Sequence, residues 1–170
     1  MSHVTITQAS KTFEQINDEV GSIILPRFDA DVAYQLGTAL RERLRSVSPK
    51  ATVVNISLSN GTLLYHAASR SGTLPDNATW VERKRRTVTR FGLATYAMHV
   101  KFDGGDEVAF AKKYGLGERA GEYAIHGGGV PVYVENVEGA VGTVIVSGLT
   151  QREDHEVVVE QLKLLQQNLK

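Results

Sequence analysis

The sequence predicts a mixed α/β domain of the α+β kind, an antiparallel sheet covered by helices. Two observations carry this reading. Two pairs of short strand-like runs, Thr52 to Leu58 with Thr62 to Ala67 and Val130 to Glu135 with Ala140 to Val146, are each joined by a short turn. Around them lie segments whose apolar residues recur three and four apart, the period of helices with one buried face. Hairpins interleaved with helices argue against the parallel sheet of a nucleotide-binding fold.

In chain order, Phe13, Ile16 and Val20 mark a short amphipathic helix behind a Ser10 cap. Ser22 to Pro26 is a brief apolar run stopped by proline. Asp29 or Asp31 then caps a helix with Val32, Leu36, Leu40 and Leu44 on one stripe. That helix ends near Ser48-Pro49, because proline disfavours helical geometry at the residue before it. Asn60-Gly61 supplies the positive φ angles of a tight hairpin turn. Arg70 to Ala78, which contains Ser71, Gly72, Pro75, Asp76 and Asn77, reads as an irregular polar excursion. Thr79 and Glu82 match a capping box that opens a central helix running to about Phe91. Ala94 to Val100 and Asp106 to Tyr114 read as two further helices, broken at Asp103-Gly104-Gly105 and stopped by Gly115. Asn136 to Gly139 joins the second hairpin. Thr150 and Glu153 form another capping box, and Val158, Leu162, Leu165 and Leu169 mark the buried face of the last helix.

At 170 residues the chain, 1–170, is read as one domain, a size at which roughly 70% of the unfolded surface leaves water. Cysteine is absent, which excludes disulfides, thiolate metal sites and a cysteine nucleophile and fits a reducing cytosol. Lys+Arg and Asp+Glu both number 19, so no global field favours nucleic acid or an anionic membrane. The first residues lack a basic start and apolar core, and no apolar run approaches the roughly 18 residues of a membrane span. The expectation is a cytoplasmic protein with no nucleic-acid partner and no membrane insertion.

The most informative stretch runs from His126 to His155. His126-Gly127-Gly128-Gly129-Val130-Pro131 precedes the second hairpin, and three consecutive glycines permit close approach of a ligand or another chain. Gly128, Gly129, Pro131, Gly142, Ser147, Gly148 and Asp154 together resemble the pattern of the GlcG/HbpS-like family, the haem-degrading domain family that includes the C-terminal domain of PduO-type proteins. Trp80 to Lys84 with Thr87 to Gly92 is similar to the central helix of a cytosolic branch of that family found in bacteria and fungi. The resemblance spans nearly the whole chain. It implies a profilin-like three-layer α/β/α sandwich around an antiparallel sheet of about five strands. It also implies haem or a related tetrapyrrole as the candidate cofactor, and self-association.

His126, an imidazole beside a flexible loop, is the candidate ligand for haem iron or another metal; the alternative is a loop histidine that fixes the turn. Arg83, Arg86 and Arg90 share a helix face, which makes Arg86 and Arg90 candidate partners for an anionic group; the alternative is a solvated or salt-bridged face. Gly128 and Gly129 are the candidate rim. The resemblance places a Lys-x-x-Thr helix motif at Lys84 and Thr87, which makes Thr87 a candidate pocket residue against ordinary packing. His66 and His99 read as satisfied core or near-core groups, Asp154 as structural, and a charged His155 as disfavoured at a helix N-terminus. His3 reads as part of a chain end. Phosphate-loop, dinucleotide, serine-hydrolase and zinc-protease motifs are missing, and Ser147 lacks an identifiable base, so no residue is assigned as catalytic.

Three functions are consistent with this. The first is an oligomeric protein, not a classical enzyme, that binds a small planar or acidic molecule such as haem. The second is a homo-oligomeric scaffold for protein partners. The third is an oxidative haem-degrading enzyme. The first two demand different things of the fold: a hollow between the glycine loop and the central helix, or a solid interior at that place.

Overall fold

A computed structural model describes Ile6 and residues 10–170. His3 lies outside the described residues. The elements run α1 (Phe13–Gly21), β1 (Ile24–Leu25), α2 (Ala30–Val47), β2 (Val53–Leu58), β3 (Leu63–Ala68), α3 (Pro75–Phe91), α4 (Thr95–Lys101), α5 (Glu107–Lys113), a 3-10 turn (Gly117–Glu122), β4 (Gly129–Val134), β5 (Gly142–Ser147) and α6 (Gln151–Leu169).

The strands form one five-stranded sheet in the order β1-β4-β5-β2-β3. Both expected hairpins are present, and β5 pairs with β2 to join them, all antiparallel. The apolar run before Pro26 adds β1 parallel to β4, so the sheet is mixed at that edge. Alternation along the strands feeds both faces. Val54, Ile56, Val130, Val132, Val144 and Val146 point into the main core with α1, α2 and α6, while Val53 and Ile145 meet Val81 of α3 on the other face. Helices therefore cover both sides. A smaller cluster of Met98, Phe102, Phe110, Leu116, Tyr123 and Ile125 lies beyond the end of α3 and carries α4, α5 and the 3-10 turn.

Two boundaries differ from expectation, and one open choice between two caps is decided. Thr12, not Ser10, caps α1, because its side chain accepts from Gln15 and Gln15 bonds back in a capping box. Asp29 rather than Asp31 caps α2. The central helix starts a turn before Thr79: Pro75 fills the first helical position, where its missing N–H costs nothing, and Asn77 Oδ1 accepts from Leu74 N at 2.7 Å. Among the described residues no helix is long and apolar enough to cross a membrane.

Candidate functional site

The loop after Ile125 and the outer turn of α3 come together at one end of the sheet. Between them opens a cavity of about 340 Å³, walled by Leu74, Asp76, Asn77 and Trp80 on one side and by His126, Gly127 and the Ser147–Gln151 segment on the other. Lys84 and Asp154 also line it, deeper in. Each wall has a local cause. α3 presents Trp80 and Lys84 a turn apart on the same stripe. The loop lies flat because Gly127 rests on the backbone of Gln151 and Gly128 adopts φ +124° over Lys84 and Asp154. A Cβ on Gly128 would stand 2.8 Å from Lys84 Nζ and 2.9 Å from Asp154 Cβ.

The floor is a buried ion pair. Lys84 Nζ donates to Asp154 Oδ2 at 3.2 Å and to the Val146 carbonyl at 2.9 Å, and both side chains are 3% exposed. Asp154 also accepts from Gly148 N at 3.2 Å and Leu149 N at 3.0 Å. Burial pushes the Lys84 amine below its ordinary range, against the pull of Asp154. Burial likewise pushes the Asp154 carboxyl up, opposed by Lys84 and the two backbone donors. Gln151 Oε1, on the same lining, is buried without a hydrogen-bond partner.

At the mouth, His126 Nε2 lies 3.1 Å from Glu107 Oε1, and the ring meets Trp80 edge-on at 5.2 Å between centroids. Trp80 Nε1 donates to Asp76 at 3.1 Å. His99 lies behind, 6.4 Å from His126; burial, then the neighbouring His126, lowers its pKa.

The other expected residues sit elsewhere, each for a physical reason. Gly128 and Gly129 are buried behind the loop, with Gly129 N donating to Thr95 Oγ1 at 2.9 Å, so Gly127 is the glycine of the three that reaches the lining. Thr87 is fully buried; its hydroxyl donates to Arg83 O and accepts from Ala124 N at 3.1 Å, which ties α3 to the segment between the 3-10 turn and the loop. Arg86 is paired with Glu82 and Glu122, and Arg90 bonds to Tyr123 Oη. The arginine beside the cleft is Arg83, stacked over Trp80 at 4.4 Å and bonded to Tyr123 O. His66 pairs with Asn55 at 3.1 Å in β3, away from this cavity.

A family model described as "Haem degrading protein HbpS-like" matches residues 28–163. The chain belongs to this HbpS-like family. A UPF0303 protein of Streptomyces avermitilis is 38% identical over 161 residues, covering 93% of this chain and 94% of its own. The solved structure of the Ybr137w protein superposes with a TM-score of 0.84 at 31% identity, covering 91% of this chain and 88% of that one. A structure described as a PduOC:Heme complex shares the fold at a TM-score of 0.63 and 18% identity, covering 80% of this chain and 93% of that one. The HbpS-like fold fits the three layers described above.

Proposed function

We propose that this HbpS-like protein binds a planar small molecule in the cleft between α3 and the glycine loop, with haem as the tetrapyrrole to test first. The observation that carries the reading is the open hollow of about 340 Å³, with His126 and Trp80 in edge-on contact on its lining instead of packed into a core. Glu107 engages Nε2 of His126 at 3.1 Å. A carboxylate hydrogen-bonded to an imidazole fixes its ring orientation as a ligand. No group of three His, Asp or Glu converges for a metal among the described residues. If haem binds, His126 is the residue that would hold its iron, and the group would supply redox and ligand-binding chemistry there. Arg83, stacked on Trp80 and 3.6 Å from Glu107, is the arginine beside the mouth and the candidate partner for a propionate.

The cavity is near the lower end of small-molecule sites, which run from about 300 to 1,000 Å³. That volume matches a compact planar ligand. Haem of the kind named for the PduOC complex, and the degradation named for the family, both support starting there. Haem titration is expected to give a saturable Soret band that shifts in His126→Ala. Saturable binding with an unshifted band would remove His126 from the site, and absence of stoichiometric binding would remove haem.

Self-association belongs to the same proposal. The sheet ends on one side at β3, where Leu63 is exposed, and Tyr34 of α2 is exposed beside Tyr65. An edge strand with apolar neighbours is a template for pairing. Light scattering is expected to give a mass above that of one chain; a strict monomer ends this part of the proposal.

A further inference from the structure

Lys84 sits where a purely structural lysine gains little. Its ammonium is taken out of water, a cost that a pair with one carboxylate only partly offsets. Leucine or methionine would fill the same space between α3 and β5. Instead the chain places an amine at the bottom of an open cleft, holds it with Val146 O and Asp154, and covers it with Gly128, where a side chain would crowd Nζ. Asp154 is itself fixed by two backbone N–H groups, so the pair is rigid.

We infer that Lys84 is a nucleophilic amine that forms an imine with the carbonyl group of a small aldehyde or ketone entering the cleft, with Asp154 as its proton partner. The inference rests on the cleft being a ligand site and does not require haem. The Lys84 ammonium passes one proton to Asp154. The freed lone pair forms a C–N bond to the carbonyl carbon as the C–O π bond opens, and a nitrogen proton moves to that oxygen to give a carbinolamine. The C–O bond then breaks; the hydroxyl takes the proton back from Asp154 and leaves as water. The product is a protonated imine beside the Asp154 carboxylate, and no oxidant or reductant enters. Gln151 Oε1, the buried acceptor without a partner, supplies a place for a ligand hydroxyl or N–H. Desolvated lysines are the residues that do this chemistry, because burial favours the neutral, nucleophilic form. Asp154 is the charged group that faces Lys84, with Asp76 and His126 farther out on the cavity wall.

The test uses the full chain without haem, propionaldehyde as the probe and cyanoborohydride to trap the imine at pH 7, followed by peptide mapping. An ordinary lysine is neutral about once in 10³ at this pH. Lys84 is therefore expected to be alkylated at least about tenfold faster than the exposed Lys50, Lys112 and Lys113. Lys84→Arg, checked for folding by circular dichroism, is expected to lose the fast-labelled site and leave surface labelling unchanged. Labelling of Lys84 no faster than the surface lysines, or only after unfolding in urea, overturns the inference. The two readings fail separately: a missing Soret band leaves fast Lys84 labelling standing, and slow labelling beside a normal Soret band removes this inference alone.

Discussion

His155 has both ring nitrogens buried without a partner, and its ring tilts against Tyr96 at 5.0 Å. Burial, reinforced by Lys11 and opposed by Glu19, lowers its pKa from 6.5 to about 3. The folded value lies below the unfolded one, so between those limits the unfolded chain takes up a proton that the folded chain refuses. Stability is full above the unfolded value and falls as pH drops through the window, by up to about 1.4 kcal/mol per pH unit. Urea denaturation is expected to show a loss of about 2 kcal/mol between pH 7 and pH 5, largely abolished in His155→Phe; His99, shifted the same way, leaves a small remainder. An equal loss in both proteins would mean that His155 is not the titrating group. The helix position of His155 was legible in the sequence, and so was the penalty on its charge. Its lack of partners was not, because side-chain neighbours come from α1 and α4, far away in the chain. The same limit governs the cleft. His126 and the glycine loop announce themselves by composition, and the Lys-x-x-Thr spacing sets Lys84 apart from the arginine face, whereas its pairing with Asp154 and Val146 O comes from the packing of β5 and α6. Gly128 can be probed directly: with φ +124° and Val146 O, Lys84 and Asp154 where a Cβ would stand, Gly128→Ala is expected to cost about 2–4 kcal/mol in the same assay.

At the scale of elements, periodicity and turn chemistry locate the helices and both hairpins, and caps read from side-chain type alone hold at Thr150–Glu153 but not at Ser10 or Thr79–Glu82. Thr79-x-x-Glu82 has the letters of a capping box, yet Thr79 lies inside α3 and Glu82 binds Arg85 and Arg86. The working cap is Asn77, which reaches back to Leu74 N, with Pro75 setting the first turn. Asn77→Ala is therefore expected to cost about 1 kcal/mol and Thr79→Ala far less; the opposite ranking in thermal melts would restore the later start. The strand β1 was harder to see because two residues carry no period. It exists through tertiary contacts: Leu25 is fully buried, Leu25 O accepts from Glu135 N at 2.9 Å, and Gln166 Nε2 donates to Ile24 O at 3.0 Å.

In the whole molecule the Lys84–Asp154 pair joins the two helical layers around the end of the sheet: Lys84 comes from α3 on one face, Asp154 from α6 on the other, and Val146 of β5 lies between them. Two roles for such a pair predict different mutant patterns. Removing one member leaves a buried charge unmatched, at about 3–5 kcal/mol, whereas replacing both by apolar residues of similar size is close to neutral. Lys84→Met and Asp154→Leu alone are each expected to lose stability on that scale, while the double variant returns to within about 1–2 kcal/mol of the parent in urea denaturation. A pair kept for stability would make the double variant the weakest of the three. A double variant as stable as the parent that no longer takes the aldehyde label, yet still gives its Soret band with haem, would mean that the ion pair is retained for the chemistry of the cleft floor and that the layers hold together by their apolar faces.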